Sequence, residues 1–141
     1  MSNIKEKEYE AKGYTKEHTK MWMDSVKGKK DEAIEYIEKH YPETAKAFQE
    51  IQYEQYETFC KKQMDYGPSN IAMGTSLDTN EEKRLSLIGL IVRINDKVQR
   101  LLNLVVTNDR EAQNEPVEDA FKDLSVYGII AQIVKNGKWG K

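Results

Sequence analysis

Arg93, Asp96, Lys97 and Arg100 stand at relative positions 0, 3, 4 and 7 of Arg93-Ile-Asn-Asp-Lys-Val-Gln-Arg100, a spacing that puts four charges on one helical face. Around them Ile88, Ile91, Ile94, Val98, Leu101, Leu102 and Val105 recur at three- and four-residue intervals. The length of this apolar segment favours a largely buried helix, although Leu87 to Val92 alone would also suit a strand. A charge buried without a partner costs several kcal/mol, so the stripe has to meet something. Three settings satisfy it: solvent with i,i+4 ion pairs, a polar cleft between helices holding carboxylates or bound anions, or the surface of another subunit. In the second, Arg93, Lys97 and Arg100 would grip phosphate groups.

A second stripe supplies carboxylates. Asp119 and Asp123 lie one helical turn apart, Glu115 precedes them by another turn, and Tyr127 continues the line. Two carboxylates four residues apart can share a magnesium ion that bridges substrate phosphates, because a hard cation takes oxygen ligands and retains water. They can equally neutralise Arg93, Lys97 and Arg100. Asp96, Glu54 and Glu57 would add carboxylates to a metal site, while Glu50, Glu54 and Glu57 also form the kind of solvated stripe that keeps a helix soluble. Asp65, Tyr66 and Asn70 join charge, an aromatic ring and an amide where a helix yields to a Gly-Pro loop. They could stack a base and hold ribose or phosphate, or they could cap a helix end with Tyr66 packed inward.

The familiar catalytic patterns are absent. The sequence has no Walker loop, no Gly-x-Gly-x-x-Gly, no His-Glu-x-x-His and no cysteine pair of zinc spacing. His18 and His40 lie far apart in charged surroundings and read as surface residues; Cys60 has no neighbouring histidine and reads as an ordinary thiol. Among 141 residues, 22 Lys plus Arg face 24 Asp plus Glu, a net charge of −2 that argues against general coating of nucleic acid. A single cysteine excludes an internal disulfide framework and fits a reducing compartment. No apolar run approaches the roughly 20 residues needed to span a membrane, and the Lys/Glu-rich start does not resemble a secretion signal, so the expected location is the cytoplasm.

The elements that must position these residues are helices. Residues 1–27 are dense in Lys and Glu and suggest a charged arm or short helix, with Trp22, Met23 and Val26 as a small apolar patch before Gly28. Residues 28–141 are expected to form a single all-α domain, a compact bundle of about four main helices. These run from Lys30 to His40, from Glu43 to about Asp65 with Pro42 in the first turn, from Leu85 to Val106, and from near Pro116 onward. The segment from Tyr66 to Ser76 should be a structured loop, and Trp139 should either cap the core or meet a partner.

Lys62-Gln-Met-Asp-Tyr-Gly-Pro-Ser-Asn70, then Arg93-Ile-Asn-Asp-Lys-Val-Gln-Arg-Leu-Leu-Asn-Leu104, then Asp119-Ala-Phe-Lys-Asp-Leu-Ser-Val-Tyr127, resembles the nucleotide modification associated domain family of bacteriophages and bacteria, over roughly residues 50 to 135. The resemblance implies a helical intracellular protein near nucleotide metabolism, in the host cytoplasm if phage-encoded. It carries over Asp65, Tyr66, Arg93, Asp96, Lys97, Arg100, Asp119 and Asp123. The chain is also distantly similar to the all-helical, MazG-like nucleotide pyrophosphatases, which use acidic helices and magnesium. Where those enzymes present Glu-Glu-x-x-Glu and Glu-x-x-Asp, this chain has Glu54-Gln-Tyr-Glu57 and Arg93-Ile-Asn-Asp96, and an arginine at an acidic position weakens the case for hydrolysis.

Three functions follow. As an enzyme, the chain would use Asp96, Asp119, Asp123 and Glu54 or Glu57 to hold Mg2+ while Arg93, Lys97 and Arg100 stabilise the phosphates during water attack. As a binding protein, it would sequester a nucleotide or a cyclic nucleotide defence signal through Asp65, Tyr66, Asn70, Arg93, Lys97, Arg100 and Tyr127 without cleaving it. As an inhibitor of a protein partner or a structural protein, it would use the stripes only as exchangeable ion pairs. Helices apolar on most sides also suggest a homodimer or higher homo-oligomer.

Overall fold

Local signals in the chain set most of the helix ends in the computed structural model, which describes residues 31–141. The expected arm at 1–27, the patch at Trp22, Met23 and Val26, and His18 lie outside the described residues. Helix α1, Glu32–His40, starts where the Asp31 carboxylate accepts the Ala33 amide hydrogen at 2.9 Å, and carries acids in its first turn and Lys39 and His40 in its last. His40 is exposed and lies 4.2 Å from the ring of Tyr36, centroid to centroid. Pro42 opens α2, Pro42–Tyr66, at a position where its missing amide hydrogen costs nothing. Gly67, at φ 65°, supplies the left-handed residue that ends α2.

The expected loop after Tyr66 contains a single helical turn, α3, Ser69–Ala72. Thr79 then begins α4, Asn80–Leu101, with a reciprocal capping box in which Thr79 accepts from the Glu82 amide and Glu82 accepts from the Thr79 amide. The helix therefore starts five residues before Leu85, because the capping residues are polar and lie ahead of the apolar repeat. Beyond Leu101 the winding loosens to a π-helical stretch, Leu102–Thr107. The last helix, α5, Val117–Lys135, follows Pro116 as expected.

The chain divides into two compact units between Glu50 and Ile51, inside α2. The described part of the first unit, residues 31–50, contributes no fully buried side chain. In the second unit, α4 packs along α5 and against α3. Its core gathers Ile71, Ala72 and Leu77 from α3 and the following loop, Leu90 from α4, Ile130 and Val134 from α5, and Trp139 from the C-terminal turn. Phe59 of α2 and Val126 and Tyr127 of α5 pack around it. Ser86, 1% exposed, fits this apolar setting because its hydroxyl donates to the Ile71 carbonyl at 2.6 Å. Trp139 does cap the core.

The expectation of a largely buried helix over Leu85 to Val106 is corrected. Ser86 and Leu90 are buried on α4 and Leu104 on the π-helical stretch, whereas Leu85, Ile88, Ile91, Val92, Val98, Leu102, Val105 and Val106 are exposed. The buried face of α4 continues from Ser86 and Leu90 to Arg93, Lys97 and Arg100. The charged stripe thus lies toward the bundle and much of the apolar stripe lies toward solvent. Among the described residues, no helix is long and apolar enough to cross a membrane.

Candidate functional site

Two helical faces form a groove. Glu54, Gln55, Thr58, Lys62 and Tyr66 recur along one side of α2, and Glu118, Asp119, Lys122, Asp123 and Tyr127 along one side of α5. Arg93 and Asn70 close one wall, giving a groove of about 1050 Å³. The Gln55 amide donates across it to the Ser125 hydroxyl at 2.6 Å, and that hydroxyl donates to the Lys122 carbonyl at 3.0 Å. A smaller recess of about 320 Å³, bounded by Gln63, Gly67, Pro68, Trp139 and Gly140, carries no charged side chain.

Each basic residue of the α4 stripe has a defined partner. The Arg93 guanidinium donates to the Asn70 carbonyl at 3.3 Å and still lines the groove. Lys97 pairs with Asp123 at 2.8 Å, both side chains about a quarter exposed. Arg100 donates to the carbonyls of Glu115 and Pro116, the two residues that lead into α5. Of the three settings open to the stripe, inter-helix pairing is the one observed for Lys97, and backbone anchoring takes Arg100. Asp96 parts from the other three in being exposed, and of the four only Arg93 lines the groove. Asp96 and Lys97, three and four positions after Arg93, fall about 60° to one side of it and about 40° to the other, which is enough to separate the two at a packed interface.

The remaining candidates divide. Glu54, Tyr66, Asn70, Asp119, Asp123 and Tyr127 line the groove. Glu57 does not and instead accepts from Lys61 at 3.2 Å, while Asp65 is exposed on the last turn of α2. Tyr66 is 67% exposed, which overturns the inward-packed alternative for that ring. Asn70 sits within α3, its side-chain oxygen accepting from the Ile71 amide at 2.9 Å, so it does not cap α2. Gln55, Thr58, Phe121, Lys122 and Ser125 are groove residues that the charge-led reading missed. Their helical spacing relative to Glu54 and Asp119 was the available signal.

The electrostatics are mixed. Glu54, Glu115, Glu118, Asp119 and Asp123 outnumber Lys62, Arg93 and Lys122 around the groove. Among the described residues, no three His, Cys, Asp or Glu side chains converge as a cage for a metal ion. Magnesium does not need one, because it commonly uses one or two protein carboxylates together with substrate phosphates and water. Glu54 and Asp119, like Glu115 and Glu118, line the groove and among the described residues take part in no ion pair.

The hydrogen bond from Lys97 to Asp123 is the largest influence on the lysine and raises it above its ordinary value of 10.5, against the opposing effect of burial. Because the folded value lies above the unfolded one, the stabilisation is fully present below about pH 10 and fades as pH rises through the folded value. Lys97→Met should therefore cost about 1–2 kcal/mol at pH 7, between an exposed ion pair and a buried charged hydrogen bond. A double-mutant cycle with Asp123→Asn in urea should recover a similar coupling at pH 7 to 9 and a smaller one above pH 10.5. A coupling near zero at neutral pH would mean that the pair is not formed in solution.

No family model, curated protein or solved structure matches this chain.

Proposed function

We propose that the groove between α2 and α5 binds a nucleotide through its phosphates, with Asp119 and Glu54 as the residues that would hold a Mg2+ ion to offset the phosphate charge. The observation that carries this reading is the composition of the lining. Rings of Tyr66 and Phe121, 67% and 58% exposed, stand in the same groove as Arg93 and an excess of carboxylates. Exposed aromatic rings offer a base a stacking surface worth roughly 1–3 kcal/mol. The excess of carboxylates would repel a bare triphosphate, and a divalent cation reverses that repulsion. Arg93 would hold the phosphates from the other wall, as a fork-shaped donor does well.

In this reading the chain handles nucleotides in the cytoplasm, in line with its single cysteine and its resemblance to the nucleotide modification associated domain family. Hydrolysis to a monophosphate and pyrophosphate is the reaction such a magnesium site would support. The Lys97–Asp123 ion pair favours a second reading, sequestration without cleavage, because it engages one of the carboxylates that hydrolysis would use.

The test is calorimetric titration with nucleoside triphosphates, monophosphates and cyclic dinucleotides, with and without Mg2+, followed by chromatography of the recovered ligand. Micromolar binding that requires Mg2+ is the expected result. Recovery of monophosphate with pyrophosphate would establish the enzyme, and intact ligand would establish sequestration. Absence of heat across the panel would sink both.

A further inference from the structure

We infer that the solvent-facing side of α4 and its π-helical extension is the seat of a second copy of this chain, docked antiparallel across a two-fold axis near Asn95. This surface is separate from the groove and does not depend on what the groove binds. Its exposed apolar side chains are Leu85, Ile88, Ile91, Val92, Val98, Leu102 and Val105. With Ile91 beside Val92, they succeed one another at three- and four-residue steps through Asn95 in the middle, the spacing of a helix that packs against another helix. A contiguous apolar face of this kind on a soluble fold marks an interaction site.

The identity of the occupant follows from the order of the residues. Read outward from Asn95, Val92 stands opposite Val98, Ile88 opposite Leu102, and Leu85 opposite Val105. Apart from Ile91, which would meet Gln99, the stripe therefore reads alike in both directions, as an antiparallel two-fold contact demands: position 95 + n of one copy meets position 95 − n of the other. These three pairings each place one apolar side chain against another, and neither they nor Asn95, Ile91 and Gln99 carry a charge, so two copies meet along the seam without like-charge repulsion. The antiparallel arrangement also sets the helix dipoles in opposition, whereas a parallel one would align them and place Glu81 beside its own counterpart.

Asn95 gives the contact its register. It is exposed, its side-chain oxygen accepts from Gln99 at 3.5 Å, and its amide N–H groups would be available to the Asn95 of the second copy at the axis. A polar amide in the middle of an otherwise apolar seam weakens adhesion to lipid or to an arbitrary apolar surface. Matched with itself it fixes register, a recognised use of a lone asparagine in a helix seam.

Sedimentation equilibrium on the full chain should give the mass of a dimer, and Ile88→Glu should return it to a monomer with an unchanged far-ultraviolet circular dichroism spectrum. Orientation is read by cysteine cross-linking in a Cys60→Ser background. Leu85→Cys mixed with Val105→Cys should form a disulfide-linked heterodimer, and Leu85→Cys alone should form at least tenfold less cross-link. A wild-type monomer throughout the concentration range, a dimer that survives Ile88→Glu, or self-cross-linking of Leu85→Cys in preference to the mixture would each overturn the proposal. Loss of helicity in Ile88→Glu is controlled by Val98→Lys, whose side chain lies on the same exposed face and should also yield a monomer.

Discussion

Truncation of Trp139 to alanine should lower the unfolding free energy by about 3–5 kcal/mol, the range for deleting a buried large aromatic side chain. The residue is 5% exposed, its indole N–H donates to the Pro68 carbonyl at 3.0 Å, and its ring meets Phe59 edge-on with centroids 6.0 Å apart. It thereby joins the C-terminal turn to both α2 and the turn that leads into α3. Gly140 permits this approach: its φ is 70°, and a Cβ there would stand 3.3 Å from the Pro68 Cβ. Because a domain of this size has only some 5–15 kcal/mol of stability in total, the loss should be plain in a urea titration followed by circular dichroism. Trp139→Phe would keep most of the ring contact and lose the hydrogen bond, so its cost should be about 1–2 kcal/mol. A truncation cost below 1 kcal/mol would show that the C-terminal turn does not anchor the core.

Asp119→Asn should separate binding from stability. The change keeps the size of the side chain and removes one charge from a half-exposed position that among the described residues has no ion pair, so unfolding should move by no more than about 0.5 kcal/mol. Magnesium-dependent nucleotide affinity should fall at least tenfold, about 1.4 kcal/mol, because an amide oxygen is a far weaker ligand for a hard cation than a carboxylate. Asp65→Asn, outside the groove, should leave affinity unchanged. Equal affinity for the wild type and Asp119→Asn in calorimetry would remove Asp119 from the site and with it the proposed magnesium bridge.

These predictions rest on different kinds of information. Helix identity was legible in the sequence because it depends on neighbours in the chain: apolar residues three and four apart, Pro42 and Pro116 where helices begin, and Gly67 where one ends. The charges of Arg93, Lys97 and Arg100 were likewise rightly placed on one helical face by spacing alone. Spacing says nothing of what lies opposite. Tertiary packing decided that Lys97 meets Asp123, that Arg100 is held by the carbonyls before α5, and that Arg93 alone of the three reaches the groove. It also decided which of two competing stripes on α4 turns inward. Hydrophobicity pointed to the richer apolar stripe, but the inward face is the one whose small and polar side chains find partners in α3 and α5: Ser86 with Ile71, Arg93 with Asn70 and Lys97 with Asp123. The sequence by itself determined the helices and the shared face of Arg93, Lys97 and Arg100, though not the outward turn of Asp96, because the first two are properties of one chain segment and its period. Partner, burial and groove were decided only when separate segments met, because each depends on groups far apart along the chain.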